Sequence, residues 1–265
     1  MKIAVVGGGP AGVSCASFLK RYGANVIIYE KRVIGGLIEN AWWVENFPLV
    51  EPSSGVVLAN RLRKVVKENN IQVVFDEILA VNGNTLFGRR GSYNADVIVL
   101  ATGTAPKRII EFEVNDRVVY EYRDLPSDIK SLAIYGGGDV AFDSAIQAKL
   151  RGINVKIFIR GNSIKAVPKL VEKASELKIE IKLNSQINSV KDVNFGVEVT
   201  TSVEELYFDA LLIAVGREVN LPEVRNTSDV YVIGDAAHVE FRQASIAVGD
   251  GIRCAMDIIM KNQKK

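Results

Sequence analysis

Residues 2–12 read KIAVVGGGPAG, and this stretch decides the fold. The run 2–6 is short and apolar after Lys2, the pattern of a buried parallel strand, and glycines end it. Residues 11–21 then carry apolar side chains at helical spacing, and Gly23 follows as a C-terminal cap. Residues 25–29 (NVIIY) form a second strand ending on Glu30. Gly7, Gly9 and Gly12 thus lie between a strand and a helix, with an acid about 20 positions on, as a dinucleotide site requires. Gly7 permits the tight turn, Gly9 lets the backbone approach a pyrophosphate, and Gly12 allows close helix packing. The helix start, with Pro10 and Ala11, offers unpaired N–H groups and a partial positive charge to phosphate. Glu30 can accept hydrogen bonds from both ribose hydroxyls of an adenosine, and Lys31 beside it is a further candidate contact.

The same order recurs in mid-chain. Residues 132–135 lead into Gly136-Gly137-Gly138, a helical stretch covers 140–150, Gly152 follows, and 155–159 form another strand. Gly136, Gly138, Asp139, Val140 and Ala141 make a GxGxxA turn, so the chain duplicates one nucleotide-binding design. The second strand ends on Ile159-Arg160, with no acid where Glu30 stood. A carboxylate there would repel a 2′-phosphate, whereas Arg160 and Lys165 can pair with one, which favours NADP(H) over NAD(H). Two dinucleotide folds in one chain point to a reaction between two dinucleotides. Hydride transfer from nicotinamide to flavin needs close ring approach and exclusion of water, but no protein acid or base.

Between the two turns lie a helix at 55–67, strands at 73–75 and 85–87, and the run 96–102, which ends in Gly103 and Pro106 as a domain boundary. Beyond the second turn, 179–183 and 197–200 read as strands, and 210–215 closes on Gly216, a further candidate contact of the second nucleotide. A strand at 230–233 meets Gly234-Asp235, and 244–260 suits a closing helix. The net charge of +2 is too mild for a nucleic-acid or membrane-surface protein. The apolar N-terminus runs straight into a glycine turn and no apolar run is long enough to span a bilayer, so a cytoplasmic protein without a leader is expected. Cys15 and Cys254, at opposite ends of the chain, read as two reduced buried thiols rather than a disulfide or metal site. One histidine, His238, leaves no material for a His-rich metal site or a Ser/His/Asp triad, and no metal is expected.

Several further motifs, in order, resemble the low-molecular-weight thioredoxin reductase family of the pyridine nucleotide-disulfide oxidoreductase superfamily. Gly35-Gly36-Leu37-Ile38 and Val44-Glu45-Asn46-Phe47-Pro48 look like that family's loop around the flavin. Ala101-Thr102-Gly103-Thr104-Ala105-Pro106 resembles its ATGxxP segment, and Gly234-Asp235 the site where an aspartate holds the ribityl chain. Arg242-Gln243-Ala244 resembles the run beside the isoalloxazine ring. The resemblance implies an α/β fold of two Rossmann-like, three-layer ββα domains. The FAD domain would be discontinuous, residues 1–105 plus 218–265, with the NAD(P)H domain inserted at 106–217. In the family the inserted domain swivels, bringing first nicotinamide and then a redox-active CxxC to the flavin, and a homodimer is usual.

The resemblance breaks at the CxxC. Counting back from Gly136 places it at Val119-Tyr120-Glu121-Tyr122, where Val119 and Tyr122 stand in for both cysteines and Arg123 for the acid expected next. Disulfide exchange requires a thiolate and a second sulfur, so no catalytic side chain is assigned. The implied activity is an FAD-dependent NAD(P)H oxidoreductase with NADPH as donor and ferredoxin, a quinone, oxygen or a small molecule as acceptor. The alternatives are a non-catalytic FAD/NADP-binding sensor or scaffold, and a flavin-based reductase of a partner's disulfide. Ferredoxin reductases of this type carry a C-terminal extension over the flavin, whereas this sequence ends soon after its final helix. Trp42-Trp43 lies in a stretch that is usually polar near the flavin, and the two indoles are expected to pack the flavin-side wall. Tyr120 or Tyr122 is a candidate cover for the flavin face that the disulfide would have met.

Overall fold

The computed structural model describes residues 1–226 and 230–263. It divides into two compact units: residues 1–39, 44–105 and 218–265, and residues 40–43 with 106–217. The chain begins with β1 (Lys2–Val6), α1 (Pro10–Arg21) and β2 (Asn25–Glu30), followed by α2 (Gly55–Glu68) and β3 (Gln72–Phe75). A meander of β4 (Ile78–Asn82), β5 (Thr85–Gly88) and β6 (Ser92–Asn94) precedes β7 (Val97–Leu100) and β8 (Thr104–Pro106).

The second unit opens with the short β9 (Val118–Val119), then β10 (Ser131–Tyr135), α3 (Asp139–Leu150) and β11 (Asn154–Phe158). Next come α4 (Pro168–Glu176), β12 (Glu180–Lys182), β13 (Ile187–Val193), β14 (Gly196–Thr201), β15 (Glu205–Phe208) and β16 (Ala210–Ile213). The chain returns through β17 (Arg217–Val219), β18 (Glu223–Arg225), β19 (Val230–Val232) and α5 (Ala244–Gln263).

Each unit is built on a five-stranded parallel sheet, in the order β19-β7-β1-β2-β3 in the first and β12-β11-β10-β16-β9 in the second. The duplication extends to register: Val6 pairs with Tyr29 and Tyr135 with Phe158. Period-two alternation sorts each central strand between two cores. Ile3 and Val5 pack beneath α1 and α5, while Ala4 and Val6 face a cluster with Val81 and Leu86 of the meander. In the second unit Leu132 and Ile134 pack on α3, and Ala133 and Tyr135 face the antiparallel sheet β13-β14-β15. Helices, parallel sheet and antiparallel strands thus form three layers twice. The fold is α/β with two Rossmann-like units, as the sequence implied.

Several short elements lie outside the sequence reading, among them α4, β13 and β15. α4 starts on Pro168 at its first position, where the missing N–H costs nothing. β13 and β15 mix polar and apolar residues, with an irregularity in register at Ile187/Ser189 of β13, a weaker signal than the apolar runs of the parallel sheet.

Candidate dinucleotide sites

Gly7 follows β1 at φ +109°, and a Cβ there would fall 2.2 Å from the Ala101 carbonyl oxygen. That contact brings the Ala101-Thr102-Gly103 segment against the turn. Gly136 repeats the arrangement, with φ +154° and a Cβ position 2.3 Å from the Ala214 oxygen. At the second motif glycine of each turn the space opens. The nearest atom to a Cβ on Gly9 is the Gly36 Cα at 3.9 Å, and nothing lies within 4 Å of one on Gly138. Both residues cap their helices without any side-chain hydrogen bond, so the first N–H groups of α1 and α3 face these openings. Gly12 packs where a Cβ would meet the Gly7 oxygen at 2.0 Å, and Ala141 is buried at the matching place. Pro10 and Ala11 form the first turn of α1, as Asp139 and Val140 do for α3.

In both units the loop after the second strand folds back onto the middle glycine. The Gly35 N–H donates to the Gly8 carbonyl at 2.9 Å, and the Lys165 N–H to that of Gly137 at 2.8 Å. The first hydrogen bond seats Gly36 and Leu37, in a 3-10 turn, beside the glycine turn. The second holds Lys165 at the mouth of the other turn, and Asp139 fixes the same loop by accepting from the Val167 N–H at 2.9 Å.

Glu30 is buried, and its carboxylate accepts from the N–H groups of Gly8 at 2.7 Å and Arg32 at 2.8 Å. These bonds fix its orientation at the strand end. Lys31 is exposed, with its ammonium 3.9 Å from Glu77. The strand registers fix the correspondence between the two units. The positional counterpart of Glu30 is Ile159, buried against Gly137, and Arg160 is the counterpart of Lys31. A basic residue therefore follows the strand end in both units; the difference between them is a carboxylate against an isoleucine. Arg160 is exposed beyond it.

The motifs quoted from distant parts of the sequence meet in the first unit. Asn46 donates to the Gln243 side chain at 2.7 Å, joining the 44–48 loop to the run that contains Arg242 and Ala244. Gly234 begins a 3-10 turn with Asp235, and its Cβ position lies 2.8 Å from Ala11. The Thr102 hydroxyl is buried without a hydrogen-bond partner, a polar group available to a ligand at the Gly7 turn. Gly103 accepts from the Asn220 N–H at 3.1 Å, and Gly216 from that of Lys107 at 3.0 Å. Asp250, a buried carboxylate on α5, accepts from the Gly234 N–H at 3.3 Å, from Arg253 at 3.0 Å and pairs with His238 at 3.1 Å. The sequence signal for it is one acid among the small and apolar residues of the closing helix.

In the segment that would carry a CxxC, Val119 and Tyr122 belong to the core around α3. The Tyr122 hydroxyl accepts from Arg151 at 3.2 Å, and burial raises its pKa. Tyr120 accepts from the Ile109 N–H at 2.8 Å and donates to Glu113 at 2.7 Å; burial first, then the Glu113 carboxylate, push it up to about 12. Both rings are thus hydrogen-bonded within the second unit. Residues 40–43 belong to the second unit, and Trp42 packs on the α3 core with its N–H on Asp143 at 2.8 Å, while Trp43 is half exposed. Asn40 donates to Glu121 at 2.7 Å and accepts from Gln147 at 3.0 Å. Among the described residues no cluster of metal-ligating side chains occurs, and no helix is long and apolar enough to cross a membrane.

Two open glycine turns on duplicated parallel sheets define a protein of two Rossmann-like units. Residues 1–227 match the family model of pyridine nucleotide-disulphide oxidoreductases, and the chain belongs to that family. It is 25% identical to a glucosaminate ammonia-lyase of Pseudomonas fluorescens, over 97% of this chain and 94% of the relative. It is 28% identical to a ferredoxin–NADP reductase of Ignicoccus hospitalis, over 81% and 76%. The thioredoxin reductase of T. acidophilum superposes with a TM-score of 0.84 at 22% identity, covering 98% of each chain. The protein is accordingly an NAD(P)H-dependent flavoprotein oxidoreductase of the thioredoxin reductase-like type.

Proposed function

We propose that the first unit holds FAD and the second NADPH, and that hydride passes from NADPH to the flavin and electrons onward to an acceptor other than a protein disulfide. One observation carries this reading: the same open cradle occurs twice, ending once in an oriented carboxylate and once in an isoleucine flanked by cations. Bound FAD supplies two-electron redox chemistry that no side chain here offers. The first N–H groups of α1 bind the pyrophosphate, Glu30 orients the adenosine ribose, and the Thr102 hydroxyl gains the partner it lacks within the protein. The Asn46–Gln243 hydrogen bond holds the flavin-side loop in place. In the second unit the first N–H groups of α3 take the NADPH pyrophosphate, and Arg160 and Lys165 pair with its 2′-phosphate, which Ile159 does not repel.

Val119 and Tyr122 offer no sulfur for disulfide exchange, so the acceptor is ferredoxin, a quinone, oxygen or a small molecule. The protein works in the cytoplasm. The test is anaerobic mixing of the purified yellow protein with NADPH and, separately, NADH. Rapid bleaching by NADPH, slower bleaching by NADH and reoxidation by one of these acceptors are expected. Persistent yellow colour would make the chain a binding module, and efficient reduction of a disulfide protein would overturn the acceptor assignment.

A further inference from the structure

Cys15 and Cys254 are the only cysteines of the sequence, and they are 239 positions apart (254 − 15). The first unit brings them together. α1 and α5 cross so closely that a Cβ on Gly251 would fall 2.3 Å from the Ala11 carbonyl oxygen and 3.0 Å from the Cys15 nitrogen. Cys15 lies one turn beyond Ala11 and Cys254 one turn beyond Gly251, so both sulfurs emerge on the facing sides of this crossing. Both thiols are free and buried in the same core, and the Cys254 side chain helps hold the Cys15 thiol well above its ordinary pKa. Backbone contact at glycine is what lets two helices come close enough for the short Cα separation of a disulfide.

We propose that Cys15 and Cys254 are a dithiol–disulfide pair whose oxidation covalently joins the first helix to the last beneath the first dinucleotide cradle. The oxidant is a hydroperoxide. One thiolate attacks the peroxide oxygen, giving a sulfenic acid and, from hydrogen peroxide, water. The second thiol attacks that sulfur, the S–S bond forms and a second water leaves. Two thiols and one hydrogen peroxide thus give one disulfide and two waters, with two electrons passing from sulfur to oxygen. The Cys254 side chain and burial keep the Cys15 thiol protonated, so attack requires opening of the α1–α5 contact. Closure again buries the product, which resists reduction.

The experiment exposes the full-length flavoprotein to hydrogen peroxide at a temperature just below its melting midpoint, followed by denaturing thiol titration, intact mass and peptide mapping. Loss of both thiols, loss of two hydrogens in mass, a peptide joining residues 15 and 254, and a rise of several degrees in Tm are expected. Dithiothreitol should reverse these changes only once the protein is unfolded. Retention of both thiols, addition of oxygen atoms without a cross-link, or disulfide-linked dimers would each overturn the pair. Cys15→Ala and Cys254→Ala, treated in parallel, should gain no Tm; a similar gain in either would assign the effect to some other oxidation.

Discussion

The two glycine turns are nearly identical in backbone and differ just beyond the second strand. Residues 7–12 and 136–141 meet their neighbouring carbonyls at almost the same distance, and each middle glycine receives an N–H from the loop beyond. Yet Glu30 presents an oriented carboxylate, and Ile159 presents a methyl-bearing surface with Arg160 and Lys165 outside it. The backbone of such a turn recognises pyrophosphate in general. In the proposed reading, the identity of the nucleotide is set by one residue at a strand end and by the loop that docks on the turn.

The severest way to break this comparison is Gly7→Ala. The added methyl meets a carbonyl at 2.2 Å in a left-handed backbone, a cost on the order of 3 kcal/mol. The variant should purify without yellow colour, whereas Gly136→Ala should keep its flavin and lose NADPH binding. Absorbance spectra with calorimetric NADPH titration check both; loss of flavin from each variant would show that the turns are not separable. Next in size, Arg160→Ala with Lys165→Ala should weaken NADPH by about 10- to 100-fold and leave NADH within about twofold. Equal weakening of the two nucleotides would remove the 2′-phosphate assignment.

A smaller difference lies in the helices, where α3 carries Asp143 and α1 carries Ser14 at the matching place. Burial raises the Asp143 pKa to about 6, against a pull downward from the Trp42 N–H. A carboxyl whose folded pKa is raised binds its proton more tightly in the folded state, so stability is lost as pH rises from about 4 through 6. Asp143→Asn should therefore stabilise the protein at pH 7.5 by about 1–2 kcal/mol and have no effect below pH 4, as measured by urea unfolding at each pH. The smallest effect is expected at Trp43, half exposed beside the packed Trp42: Trp43→Ala should change stability by less than about 0.5 kcal/mol. A larger loss would mean that its ring has a partner of its own.

The parts of this molecule legible in its sequence are those whose physics is local. A glycine between an apolar strand and a helix announces its turn, and apolar runs such as residues 97–100 announce buried parallel strands. Contacts between distant residues were not legible. Nothing near Trp42 signals that its N–H ends on Asp143, about a hundred positions away, and nothing near Cys15 signals Cys254. That Ile159, and not Arg160, takes the place of Glu30 is set by strand register, which motif spacing does not reveal. Thr102 and Asp250 gain their meaning only from the groups that the fold places beside them.

The route of the chain also has a consequence for its synthesis. β19 and α5, which complete the first sheet and cover α1, are separated from β1 by the whole second unit. On the ribosome the second unit emerges entire and can fold, while the first waits with the β7 edge unpaired and α1 uncovered. A chain halted before Val230 should therefore show a protease-resistant core within residues 106–217 and none at the N-terminus. If the first unit holds FAD as proposed, flavin capture would then be a late step in making this protein, a checkpoint that an arrested or truncated chain cannot pass.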